Sequence, residues 1–347
     1  TIIITTRSTE YAYNYSVDWG DGSEIEENLT ADASHTYDEP GTYKVTISGT
    51  FPQTYFEYNN SDNTKLVEIV KWGDIAWRSM YYAFYQAENM VSTASDRPDI
   101  RLVTDMERAF GLATLFNGDI RDWDVSNVTT LKSTFEETEQ FNQDISDWDV
   151  SKVTSMIGTF SGAKAFNQPV GKWNMSNVTN TRYMFQGTDT FNQPLNDWDM
   201  SKVENMEYMF ARTKAFNQPL DQWDVSSVTI MNVLFFQSVF NQPIGSWDIS
   251  GVESLYALFR DSPFDQDISA WQVSQVTGFH ELFRDSALST THYDAVLNAW
   301  SQQNVVDGVK FGADNVQYSS AAKAAHKKLF DDHAWIITDG GCTDCTP

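Results

Sequence analysis

The chain reads as an α/β solenoid of about nine coils, opened by an antiparallel β-module and closed by a C-terminal α/β cap. Three observations predict this. Tryptophan recurs every 24 or 25 residues, a phenylalanine follows each of those tryptophans at a fixed offset, and the two ends carry different patterns. The resulting division is 1–50 for the β-module, 51–288 for the repeats, 289–338 for the helical cap and 339–347 for a linker or tail.

Residues 1–50 come first. Tyr13-Asn-Tyr-Ser-Val-Asp18-Trp19-Gly-Asp21-Gly22 and His35-Thr-Tyr37 through Pro40-Gly41-Thr-Tyr43 to Ile47 alternate apolar and polar residues around Asp-Gly and Pro-Gly turns. That alternation predicts a small antiparallel sheet.

The repeats follow. FNGDIRDWDVSNV starts at Phe116, and related stretches start at Phe141, Phe166, Phe191, Phe216, Phe240 and Phe264. Their tryptophans fall at 123, 148, 173, 198, 223, 247 and 271, each followed twelve residues on by a phenylalanine, 135 through 283. Trp72 and Phe84 share that offset, as do Pro98 and Phe110 in a copy that has lost its tryptophan. These make nine units. In the unit from Phe141, Trp148 and Val150 have strand spacing, whereas Val153, Met156 and Phe160 have the spacing of a helical turn. Ser151 is placed to cap that turn. No unit can bury its apolar face alone, so the units are expected to stack into ladders of like residues. The Phe-Asn-Gln asparagines (Asn142, Asn167, Asn192, Asn217, Asn241) are expected to form an internal hydrogen-bonded ladder.

At the C-terminal end, Tyr293, Val296, Leu297 and Trp300 predict a helix over 290–302. A second helix over 319–333 and a short strand over 335–338 complete the cap.

The Ile-x-x-Trp-x-Val-x-x-Val-x-x-Met-x-x-x-Phe pattern resembles BspA-type leucine-rich-repeat bacterial surface proteins, above all the branch with Phe-Asn-Gln and Trp-Asp-Val-Ser repeats. Trp72-Gly-Asp-Ile-Ala-Trp77…Met80…Phe84 resembles that family's first repeat, and Tyr318 to the Gly-Gly after Asp339 its C-terminal end. The Trp-Gly-Asp-Gly and Pro-Gly-Thr-Tyr motifs are similar to a shortened polycystic-kidney-disease (PKD) type module. The resemblance implies a secreted or cell-surface bacterial adhesion protein, part of a larger multi-domain one.

Charge and motifs narrow the function. The 48 acidic and 23 basic side chains give a net charge of −25, which repels nucleic acid and anionic lipid. No apolar run is long enough to span a bilayer, and no basic-then-apolar leader follows Thr1, so a signal peptide is expected to have been removed or left out. Nucleophile elbows, zinc-binding His pairs and phosphate loops are lacking, so no catalytic residue is expected. The residue after each tryptophan forms a row: Asp124, Asp149, Asn174, Asp199, Asp224, Asp248 and then Gln272. At about 5 Å in water, neighbouring carboxylates would repel by about 0.8 kcal/mol, so the row needs compensation. Either each Asp accepts local hydrogen bonds in the following turn, or the row is an anionic stripe for calcium or a cationic partner. Asp18 and Asp21 are weaker metal candidates, better read as a hairpin turn. His326 and His333 read as surface or packing residues without partners. Cys342 and Cys345 suit a local disulfide. The expectation is a non-catalytic protein whose solenoid face binds a protein or host-surface partner. The alternative is a polysaccharide-binding module, calcium-assisted through the acidic row.

Overall fold

A computed structural model describes residues 1–56 and 60–345. The N-terminal segment holds five antiparallel strands in two small sheets. β1 (Ile2–Ile4) pairs with β4 (Ala33–His35), while β2 (Asn14–Asp18) lies between β3 (Glu26–Leu29) and β5 (Thr46–Thr50). Alternate residues of β2 bury Tyr15 and Val17 in a separate core with Tyr13, Trp19, Ala33 and Phe51. Phe51 also meets Trp77 edge to face, which joins this core to the first repeat unit.

From Trp72 onward the units stack in register. A parallel two-residue pairing of β6 (Glu68–Ile69) with β7 (Val91–Ser92) starts the series. Single-residue parallel bridges then run Asp105 to Thr130, Ser155, Asn180, Asn205, Ile230, Ser254 and Gly278. The second phenylalanine of each unit forms a column from Phe84 to Phe283, with neighbouring ring centroids 5.6–6.0 Å apart. Every tryptophan from Trp148 to Trp271 donates its indole N–H to a carbonyl of the preceding unit, as Trp148 does to Ile120 at 3.1 Å. The Trp123 indole N–H has no such partner among the described residues; the copy before it is the degenerate one at Pro98. Trp72 reaches across that copy to meet Trp123 edge to face at 5.1 Å.

The local conformation differs from the strand and helical turn expected of each unit. Trp148–Val150 forms no strand; the parallel pairing falls on Ser155 instead. The segment read as a helical turn is a run of tight turns. In it, Thr159, Ser161 and Ala163 donate N–H to carbonyls three residues back, while Met156, Gly158, Phe160 and Gly162 donate to Asn180, Arg182, Met184 and Gln186 of the next unit. Half of the N–H groups thus leave the segment altogether, which a helix would not allow. The carbonyls of Ser155, Ile157, Thr159 and Ser161 accept from the preceding unit, so four peptide groups per unit point their N–H ends the same way along the stack. Turns closed at three residues reproduce the three- and four-residue spacing of the buried Val153, Met156 and Phe160. That is why the pattern imitates a helix. Ser151 caps nothing of the kind: its N–H donates to Asp149.

This path places two residues of every unit in the left-handed region, at 82 and 86 in the first and 281 and 285 in the ninth. Glycine takes three of these places, Gly158, Gly162 and Gly187; the rest include Leu112, Tyr183, Tyr208, Arg212 and Val233. A residue with a Cβ forfeits about 1–2 kcal/mol there. Gln237→Gly, at φ 51° on an exposed side chain, is therefore expected to raise the unfolding free energy by up to about 1 kcal/mol in a denaturant titration. A drop of the same size would show that the Gln237 side chain outweighs its backbone.

The cap extends the stack. Ser289 caps α1 (Thr290–Trp300), and β8 (Lys310–Ala313), absent from the expectation, continues the parallel pairing through Phe279 and Phe311. Phe283 and Asp285 donate N–H to Gly312 and Asp314, which satisfies two of the four peptide columns at their outward-pointing end. The strand lies so close that a Cβ on Gly312 would sit 2.4 Å from the Glu281 nitrogen. α2 (Lys323–His333) starts later than expected, and β9 (Ile336–Asp339) pairs parallel with β8. The tail is not a free linker in its described part: Gly340 donates to Val316, Thr343 to Tyr318, and the Asp344 carboxylate accepts from Ser320. Thr346 and Pro347 lie outside the described residues.

Candidate functional site

Each member of the acidic row is exposed, and each folds back on its own turn. Asp124, Asp149, Asn174, Asp199, Asp224 and Asp248 accept the N–H of the serine two residues on at 3.0–3.2 Å. At Asp124, Asp199 and Asp224 the serine hydroxyl adds a bond of 2.6 Å to the same oxygen. Serine hydrogen bonds, side chain first and then backbone, hold Asp149, Asp199 and Asp248 below the usual carboxylate range. One oxygen of each carboxylate is thus committed locally.

Asp18 and Asp21 close the turn after β2, accepting from Gly20 and Ser23. Asp21 also holds His35 at 2.7 Å; bonds from Ser23 and then His35 keep it far below its ordinary value. His35 in turn stacks on Trp19 at 5.0 Å. Among the described residues, three potential ligand atoms converge within 4.8 Å only at Cys342, Asp344 and Cys345, where both sulfurs are joined in a disulfide. No residue of the Asp row belongs to that group.

The two histidines of α2 do have partners, contrary to expectation. His326 bonds Asp339 at 3.1 Å and His333 bonds Asp307 at 3.0 Å. Asp339 also accepts the Tyr293 hydroxyl at 3.0 Å. Burial, the largest influence on Asp339, pushes it up, but the bonds from His326, Gly341 and Tyr293 together hold it low. This network ties α1, α2 and β9 together. The Phe-Asn-Gln ladder also exists, but on the surface rather than inside. Each Asn side-chain oxygen accepts the N–H of the equivalent residue in the next unit, as Asn142 does from Asn167 at 2.9 Å; at the end of the row Asn241 accepts from Asp265.

A different surface stands out once the units are superposed. Phe, Asn-Gln, Trp, Asp-Val-Ser and Phe recur at their places, but the positions around the left-handed residues do not repeat. They read Lys132, Ser133, Glu136, Glu137 in the third unit and Ile157, Gly158, Ser161, Gly162 in the fourth. The fifth offers Arg182 and Tyr183, the sixth Tyr208 and Arg212, the seventh Phe236, the eighth Tyr256 and Arg260. These side chains touch within and across units. Tyr183 and Tyr208 rings lie 4.9 Å apart, Arg182 sits 4.5 Å over Tyr183, and Arg212 and Arg260 flank the Phe236 ring at 5.6 and 5.5 Å. The variability was legible in the sequence. That the variable residues share one face was not, because it depends on the left-handed path.

No helix among the described residues is long and apolar enough to cross a membrane. Fold and surface together define a repeat protein, with a constant stacked framework and one variable face. The chain belongs to the family described as Mycoplasma protein of unknown function, DUF285, whose model matches residues 78–195, 145–238, 169–262 and 220–321, together most of its length. No curated protein and no solved structure matches it.

Proposed function

We propose that this chain is a non-catalytic binding protein of the bacterial cell surface, in which the stack acts as a solenoid of the BspA-like kind and presents its variable face to a protein partner. One observation carries the reading. On that face the chain places tyrosine, arginine and glutamate in left-handed backbone, where glycine would meet no steric penalty, while the rest of the unit repeats. Strain retained at varying side chains is what a recognition surface produces, and a purely structural turn has no use for it. The β-module, similar in its motifs to a PKD-type spacer, would hold the stack away from whatever precedes it.

The acidic row is assigned to the framework in this reading. Replacing Asp149, Asp199 and Asp224 together with Asn keeps the acceptor that Asn174 already supplies, so thermal stability is expected to shift by no more than about 0.5 kcal/mol per site. Replacing them with Ala removes the acceptor at about 1 kcal/mol each. Binding of the immobilised full chain to host extracellular proteins should survive the Asn variant and be the same with calcium or with chelator. Loss of binding in either arm, or binding confined to a glycan array, would refute the assignment and favour a calcium-assisted polysaccharide module.

A further inference from the structure

The variable face does not carry its charge evenly. Across units five to nine its ionised residues are Arg182, Arg212, Arg260 and Arg284 against Glu207, Asp261, Glu281 and Asp285, four of each sign, in a chain of net charge −25. Three of those arginines are paired in place: Arg182 with Glu207 at 2.6 Å, Arg260 with Glu281 at 2.5 Å and Asp261 at 3.4 Å, and Arg284 with Glu281 at 2.7 Å and Asp285 at 3.6 Å. The guanidinium of Arg212 faces no carboxylate among the described residues; its contact is the Phe236 ring. A guanidinium lying over a ring keeps its in-plane N–H donors free, in the fork that matches a carboxylate.

Resting on the binding reading above, we propose that units five to eight form the docking centre for a protein segment. A carboxylate of that segment pairs with Arg212, and its neighbouring apolar side chains pack against the parts of the Tyr183, Tyr208 and Phe236 rings that the arginines leave uncovered. The composition suits a protein partner: tyrosine, phenylalanine and arginine dominate the energetic centres of protein interfaces. Sugar stacking fits poorly, because the flat ring faces are already in use. Arg182 covers Tyr183, Tyr183 leans on Tyr208, and Phe236 lies between two arginines. Charge points the same way. This neutral strip with one unpaired cation lets a carboxylate-bearing segment approach a molecule that otherwise repels it.

The test uses a displayed library of short random peptides selected on the full chain. Enriched peptides are expected to share an Asp or Glu beside an aromatic or aliphatic residue. Arg212→Ala should weaken them by about tenfold or more, and Tyr208→Ala should weaken them too. Arg212→Glu should abolish binding, and exchanging the peptide's acidic residue for Lys should restore it to that variant, which separates lost contact from lost fold. The Asp149→Asn, Asp199→Asn, Asp224→Asn chain should bind like the wild type. The proposal is overturned if enriched peptides lack carboxylates or ignore Arg212 and Tyr208. It is equally overturned if glycans, rather than peptides, lose binding in those variants. Binding that tracks the Asp row would defeat the docking centre while leaving a binding protein; no binding in any arm would defeat both.

Discussion

Phe160→Ala is expected to destabilise the stack by about 3–5 kcal/mol, the range for deleting a fully buried aromatic ring. Phe160 is completely buried between Phe135 and Phe185, each 5.7 Å away, with Phe166 at 4.0 Å and Trp173 at 6.0 Å. None of these rings can move into the gap, because each is held in its own unit's column. Around Phe160 each unit meets its two neighbours, so the damage is concentrated at the two junctions that the ring fills. The middle of the stack then becomes its weakest point, and units on either side lose cooperativity. Calorimetry should show a lowered, broadened or split transition. Phe160→Leu, which refills much of the void, should recover more than half of the loss. A single sharp transition within about 1 kcal/mol of the wild type would contradict this account.

Phe311→Ala is expected to be as costly, about 3–5 kcal/mol, for a different reason. Phe311 is nearly fully buried where β8 joins the last unit, within 5.6–6.2 Å of Phe279, Phe283, Tyr293, Trp300 and Trp335. That strand and the Asp314 that follows it accept the N–H groups of Phe283 and Asp285, open ends of aligned peptide columns. Loosening it leaves donors and apolar surface unpaired at the end of a repeat array, where another copy could attach. Amide exchange at Phe283 and Asp285 should accelerate, and concentration-dependent association should appear in size-exclusion chromatography. Phe330→Ala on exposed α2 serves as the control, with a change below about 0.5 kcal/mol. If amide exchange at the ninth unit is unaffected by Phe311→Ala, β8 is not what seals the stack.

The repeat, its register and the buried status of its aromatic residues were legible because stacking superimposes identical residues, and identity at a fixed period is visible in one dimension. The two helices of the cap were legible from spacing, with their ends displaced by a few residues. β8 was not: Lys310-Phe-Gly-Ala is short, contains glycine and is a strand only because β9 and the ninth unit offer it bonds. Nor were the partners of His326 and His333, since Asp339 and Asp307 are brought to them by packing.

The central difference lies in residues 156–163 and their equivalents. Val153, Met156 and Phe160 announce a buried face of period three to four, and a helix and a run of three-residue turns both satisfy it. What selects the turns is the next unit, whose carbonyls of Asn180, Arg182, Met184 and Gln186 stand ready to take half of the segment's N–H groups. A single sequence therefore determined which residues are buried, how often the pattern recurs and that the Asp row could satisfy itself within its own turns. Only the tertiary structure decided the left-handed path, and with it the face on which Tyr183, Tyr208, Arg212 and Phe236 meet, because that path is closed by hydrogen bonds between residues some 24 positions apart.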